Sequence, residues 1–220
     1  MMDYKIVEVK ENILIENTQK ASELREQLTN KGIFFINVMA SPGSGKTTLL
    51  VQLINRLKKD FSIGVMEADI DGDVDADRIH KLTGVPSIQV HTGGACHLTA
   101  QMVEDAINSF NVDGINLLIL ENVGNLVCPA EFDTGAHLNL VLLSIPEGDD
   151  KPLKYPLMFE VANIVVITKI DTLPAFNFSF DKCIENIHLR NKDIPIFKIS
   201  ALKEKGVDEL AEALKERIKK

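Results

Sequence analysis

The chain has 220 residues, 45 % hydrophobic and 25 % charged, which suits one large α/β domain with a sizeable core. Its net charge of −8, from 32 acidic against 24 basic residues, argues against a general nucleic-acid or anionic-membrane surface, because phosphate-rich partners need a basic field. No stretch reaches the ~18 apolar residues of a spanning helix, and Met1 to Glu11 lacks the basic-then-apolar order of a signal peptide. A cytoplasmic location is therefore expected.

Asn12 to Asn30 carries Ile13, Leu14, Ala21, Leu24 and Leu28 at roughly helical spacing, and Gly32 is placed to cap that helix. Ile33 to Met39 is near-continuously apolar, as expected of a strand buried on both faces. A glycine-rich loop follows, then a helical pattern over Thr47 to Lys59 with a basic last turn. Ser62 to Glu67 reads as a strand, Val74 to Leu82 as a helix, Ser87 to His91 as a strand and Leu98 to Phe110 as a helix. Ile115 to Leu120, His137 to Ser144 and Ile164 to Thr168 are further strands. Glu147 to Tyr155 is polar and Pro-containing, and is expected to be a mobile loop. Asp181 to Asn191 reads as helix, Pro195 to Ile199 as strand, and Val207 to Lys220 as a closing helix. Such alternation predicts an α/β fold: a mostly parallel sheet with helices on both faces. It is expected as a single domain over residues 1–220 with an N-terminal helix at about 12–30.

Ala40-Ser41-Pro42-Gly43-Ser44-Gly45-Lys46-Thr47 matches a P-loop, with alanine where the first glycine usually stands. Small residues let backbone N–H groups turn inward around phosphate oxygens. The following helix adds its positive end. Gly43, Ser44, Gly45, Lys46, Thr47 and Thr48 are the expected phosphate contacts, with Lys46 at the terminal phosphates and Thr47 on Mg²⁺. Mg²⁺ needs a carboxylate, usually at the end of a buried strand, and Glu121 is expected to supply it; it opens Glu121-Asn122-Val123-Gly124, an acid-x-x-Gly switch form in which Gly124 offers its N–H to the γ-phosphate. Asp69, Asp71, Asp73, Asp75 and Asp77 follow the second strand; such a run is usually a solvated loop. Beside a P-loop, Asp69 and Asp75 are chosen as contacts to Mg²⁺ or the attacking water. The expected catalytic set is Lys46, Thr47, Asp75 and Gly124.

Thr168-Lys169-Ile170-Asp171 closes another apolar strand. In a Thr-Lys-x-Asp turn the aspartate accepts from the two guanine donors and the lysine stem covers the base; adenine lacks that donor pair. Ser200-Ala201-Leu202 is similar to the loop that supports the guanine carbonyl. Either signal alone is weak, since Lys-x-Asp also caps turns; together they favour GTP over ATP.

Cys96-His97 follows Gly93-Gly94, and Cys128 follows the switch form. Thiolate and imidazole suit Zn²⁺ and Ni²⁺, and a symmetric dimer would offer six such ligands. The residues leave a second reading open, with Cys96 as a helix cap and Cys128 as a small buried side chain. Cys183 is expected to be buried, and His137 to be core.

These segments resemble the HypB GTPases, accessory proteins for nickel insertion into hydrogenase. The resemblance rests on Ser41 to Thr48, Asp75-Ala76-Asp77-Arg78-Ile79, Gly93-Gly94-x-Cys96-His97-Leu98, Glu121 to Pro129, Pro146 to Pro156 and Thr168-Lys169-x-Asp171. It implies a P-loop NTPase of the dimerising, SIMIBI-type GTPase subgroup with GTP, Mg²⁺ and Ni²⁺ or Zn²⁺. It assigns the nickel or zinc to Cys96, His97 and Cys128, and implies a homodimer whose partners are other maturation factors and the hydrogenase large subunit, with no nucleic acid or membrane involved. Lys154 matches a position that touches nucleotide across the dimer. Two departures stand out: Met1 to Asn30 carries neither the Cys-x-x-Cys-Gly-Cys nor the His-rich tract of many members, and Thr168 replaces the usual asparagine. Two other readings compete. One is a urease-type nickel GTPase, although that family has Cys-Pro-His and here Cys96 and His97 are adjacent. The other is a metal-binding dimerisation module with structural nucleotide.

Overall fold

The structure, a computed structural model, describes residues 9–69 and 74–219. The elements run α1 (Val9–Asn30), β1 (Phe34–Ala40), α2 (Lys46–Leu57), β2 (Ile63–Asp69), α3 (Val74–Thr83), β3 (Ser87–His91), α4 (Ala100–Ser109), β4 (Leu117–Glu121) and the short α5 (Cys128–Glu131). There follow β5 (Leu138–Ser144), α6 (Lys151–Lys154), α7 (Pro156–Glu160), β6 (Ile164–Thr168), α8 (Phe180–His188), β7 (Ile196–Lys198) and α9 (Val207–Ile218). The strands form one parallel sheet in the order β3-β2-β4-β1-β5-β6-β7. No helix among the described residues is long and apolar enough to cross a membrane.

Both faces of this sheet are covered, which is why its central strands read as apolar runs rather than alternations. On one face Ile36, Val38, Leu117, Ile119 and Leu140 pack with Leu50 and Leu53 of α2, Ile79 of α3 and Leu210 of α9. The other face is split. Phe35, Met66 and Leu118 pack under α1 and α4. Met39, Val141 and Val165 pack under α7 and α8. Asn37 lies between the two halves, buried, and its pairing is complete: its amide donates to Asn139 Oδ1 at 3.0 Å and its carbonyl oxygen accepts from Asn122 at 3.0 Å.

The chain builds β2 to β4 on one side of β1 and β5 to β7 on the other. The carboxyl ends of β1 and β4 therefore border a crevice at the point where strand order reverses, the place where open α/β sheets take ligands.

The expected elements are present, with shifts of a few residues at their ends. Two expectations fail. Glu147 to Tyr155 is not an open loop but a 3-10 turn over Ile145–Glu147 followed by α6. Ser144 and Glu147 form a capping box, the Ser179 N–H donates to Asp149 Oδ2, and Asn186 donates to the Asp149 carbonyl. These polar side chains bind backbone, so their composition misleads. His137 also departs from expectation: it is half-buried at the start of β5, stacked on Phe34, accepting from the Phe35 N–H and hydrogen-bonded to Thr29. Cys183 is fully buried, and burial pushes its thiol up to about 12.

Candidate nucleotide and metal sites

β1 delivers Ala40 to the loop, and Gly43 (φ 71°) and Gly45 (φ 95°) turn it in the left-handed region that favours glycine. Gly45 is also the N-cap of α2, so the helix starts at Lys46 with its free N–H groups facing the turn. A cleft of about 540 Å³ opens here, lined by Gly43, Gly45, Lys46, Thr47 and Thr48 from this segment. The expected contacts Asp69, Asp75, Glu121, Gly124 and Lys169 line the same cleft. Ser44 does not line it; its side chain is buried and its carbonyl accepts from Thr168 Oγ1 at 2.8 Å. Thr168 thus ties the end of β6 to the P-loop. Asp71 and Asp73 lie outside the described residues.

The Thr47 hydroxyl donates to Glu121 Oε1 at 2.8 Å, while Glu121 Oε2 is buried without a hydrogen-bond partner. Burial raises the Glu121 carboxyl to about 7, against the favourable field of Lys46. A hydroxyl next to a buried, half-satisfied carboxylate fits an oxygen-seeking divalent cation such as Mg²⁺. The carboxylates that converge are Glu67, Asp75 and Glu121, whose ligand atoms lie within 4.8 Å of one another. Asp69 lines the cleft outside that trio. Glu67 and Arg78, to which the sequence alone assigns no site role, also line the cleft. The available signal for Glu67 was a lone acid inside the apolar run Ile63-Gly64-Val65-Met66-Glu67-Ala68.

Gly124 approaches the P-loop closely: a Cβ there would lie 3.0–3.1 Å from the Pro42 ring and backbone. Gly124→Ala is expected to push the two loops apart and cost ~1–3 kcal/mol in thermal or denaturant unfolding. An unchanged midpoint would mean that the approach carries no constraint.

At the far end, Lys169 takes the left-handed conformation (φ 57°) and donates to the Gly43 carbonyl at 2.6 Å, its stem running beside Gly45. Asp171 is exposed and accepts from the buried Ser200 hydroxyl at 2.5 Å. The two segments expected to read the base are thus adjacent. Ala201 is half-buried and Leu202 74 % exposed.

Cys96, His97 and Cys128, 32 residues apart in the chain at their extremes, come together with ligand atoms within 4.8 Å. Cys96 Sγ is 3.0 Å from Cys128 Sγ and 3.8 Å from His97 Nδ1. Gly93 and Gly94, both at positive φ, provide the turn that presents Cys96. His97 stacks on Phe132 at 3.9 Å, and burial lowers its pKa, which favours the neutral ligating form. The Cys128 thiol, hydrogen-bonded to Cys96, raises the Cys96 pKa. Helix α4 is capped by Thr99, which accepts from the Met102 N–H, and Cys128 is only half-buried. Cys96 is thus not a helix cap, and Cys128 is not a fully buried side chain.

The CobW/HypB/UreG nucleotide-binding domain family matches residues 34–198. The Hydrogenase/urease maturation factor HypB of Helicobacter pylori is 43 % identical over 217 residues, covering 97 % of this chain and 88 % of its own. A crystal structure of HypB from Helicobacter pylori in complex with nickel superposes with a TM-score of 0.87 at 42 % identity, covering 93 % of this chain and 95 % of that one. A LAO/AO transport system kinase, at 16 % identity and a TM-score of 0.58 over 97 % of this chain and 76 % of its own, shares the fold alone. By its sequence over nearly its full length, and by the close superposition of its fold, the chain belongs to the CobW/HypB/UreG family and, within it, to the HypB hydrogenase maturation factors.

Proposed function

We propose that this chain binds and hydrolyses GTP in the cleft at the end of β1, and that the nucleotide state governs a nickel or zinc site made by Cys96, His97 and Cys128. The observation that carries the reading is the segment joining the two sites. Glu121 accepts from Thr47 at one end, Gly124 packs on Pro42, Asn125 donates to the Cys96 carbonyl at 3.2 Å, and Cys128 meets Cys96 at the other end. A shift of this segment on loss of the γ-phosphate therefore moves a metal ligand.

In this reading Lys46 and the P-loop amides stabilise charge on the transferring phosphoryl group, with in-line attack by water. Thr47, Asp75 and Glu121 hold Mg²⁺, which neutralises phosphate charge when bound. Asp171 selects guanine, supported by the Ser200–Leu202 loop. Turnover is slow, because no glutamine stands in the switch segment. The chain works in the cytoplasm as a homodimer that joins two cysteine sites, with other maturation factors and the hydrogenase large subunit as partners. The names of the relatives, which join hydrogenase to urease in Helicobacter, support a nickel enzyme as the destination.

The test is a titration of the pure protein with Ni²⁺ and Zn²⁺, in GDP and in a non-hydrolysable GTP analogue, with solution mass measured alongside. About one metal per chain is expected, lost on substitution of Cys96 or Cys128, with an affinity that differs between nucleotide states. Equal affinity in both states sinks the coupling; absence of metal in both states sinks the nickel assignment.

A further inference from the structure

Glu67 has no part in the function as described. It is 3 % exposed, in a strand otherwise apolar up to Ala68, where an unneeded carboxylate is costly. Its register partners are Gln89 on β3 and Glu121 on β4. In-register residues of neighbouring strands point to the same face, so the sheet sets Gln89, Glu67 and Glu121 in one row across three strands. The Gln89 amide donates to Glu67 Oε2 and to the Glu67 carbonyl, which holds the carboxylate in place. In front of the row stands Asp75, and the three carboxylates lie within 4.8 Å of one another. Glu121 Oε2, buried and without a partner, belongs to the same group and lines the same cleft. The lysine whose field reaches both Glu67 and Glu121 is Lys46, which the P-loop reading commits to phosphate.

Three carboxylates, one of them with an unused buried oxygen, are a donor set for a hard divalent cation and a repulsive wall for a bare polyphosphate. We infer that Glu67 is a third carboxylate of the divalent-cation site, acting from β2, and that it makes nucleotide binding depend on the cation. The inference rests on the reading of the cleft as a nucleotide–Mg²⁺ site. It separates Glu67 from the P-loop residues, which attract phosphate whether or not a cation is present.

The experiment compares the parent chain with Glu67→Gln, which keeps the volume and an acceptor for Gln89. Two affinities are measured at pH 8: Mn²⁺ for the GDP-loaded protein by electron paramagnetic resonance, and a fluorescent GDP analogue in excess EDTA. The expected result has opposite signs. Mn²⁺ affinity falls ~10- to 100-fold, the range for losing a supporting group at a metal site, while metal-free GDP binding is unchanged or tighter. Glu67→Asp, which keeps the charge on a shorter arm, regains part of the Mn²⁺ affinity. A Glu67→Gln chain with the parent's Mn²⁺ affinity overturns the inference, as does a parallel loss of both affinities, which is what damage to β2 produces. A parent chain that binds neither GDP nor Mn²⁺ overturns instead the reading of the cleft itself.

Discussion

Lys46→Ala is expected to lower GTP turnover by ~10²–10³-fold, the loss found when one preorganised charge-stabilising donor is removed from a transition state. Lys46 begins α2 directly after Gly45 and lines the cleft. Its field reaches the buried carboxylates of Glu67 and Glu121, while the other cations lining the cleft, Arg78 and Lys169, come from α3 and the end of β6 rather than from the P-loop. Single-turnover hydrolysis of radiolabelled GTP reads the effect without confusion from product release. The same variant leaves Cys96, His97 and Cys128 untouched, so nickel titration at a fixed nucleotide state retains its stoichiometry. The pairing of results matters. If metal transfer to an acceptor also survives in Lys46→Ala, the nucleotide is structural and the chain is a dimerisation module with a metal site. If transfer is lost with hydrolysis, the chemistry drives the delivery. Turnover equal to the parent's would remove Lys46, and with it the P-loop mechanism, from the account.

Much of this arrangement is legible in the sequence because it depends on order along the chain. A P-loop must lie between a buried strand and a helix, and the apolar run before Ala40 and the periodicity after Lys46 state both. The Thr168 and Ser200 segments each follow their own strand, so parallel pairing of β6 with β7 brings them together. What the sequence hid depends on register. Glu67 joins Glu121 because β2 and β4 are neighbours, although β3 intervenes along the chain, and strand order is set by crossovers that local patterns do not encode. The Asn37–Asn122–Asn139 chain was hidden for the same reason. The α6 segment misled in the opposite direction: its polar residues looked solvated but serve as caps and backbone acceptors, for which composition gives the wrong sign.

Cys96→Ser or Cys128→Ser is expected to weaken Ni²⁺ binding by at least ~100-fold, with nucleotide affinity within the error of the parent's. A serine hydroxyl is a harder and far less acidic donor than a thiol, so it does not replace a thiolate on a borderline metal. Among the described residues each chain presents three ligands at this site, and loss of one leaves two. His97 is fixed by packing, through its stack on Phe132, but one thiolate and one imidazole per chain do not retain the ion at the parent's affinity. Competition against a chromogenic chelator measures the loss; an unchanged Ni²⁺ affinity in both variants would move the metal elsewhere. The coupling has a separate handle. Asn125 reaches the Cys96 carbonyl with its amide and holds the Val127 N–H with its carbonyl oxygen, so it fixes the stretch between Gly124 and Cys128. Asn125→Ala removes no ligand and no phosphate contact. It is therefore expected to leave nickel affinity in GDP near the parent's while shrinking the difference between GDP and the GTP analogue. Coupling of this kind is commonly worth ~1–3 kcal/mol, and two hydrogen bonds at ~1 kcal/mol each are of the size needed to transmit it. A ligand pair only 3.0 Å apart gives such a small displacement a large effect, because the bite between Cys96 and Cys128 must change to admit or release the ion.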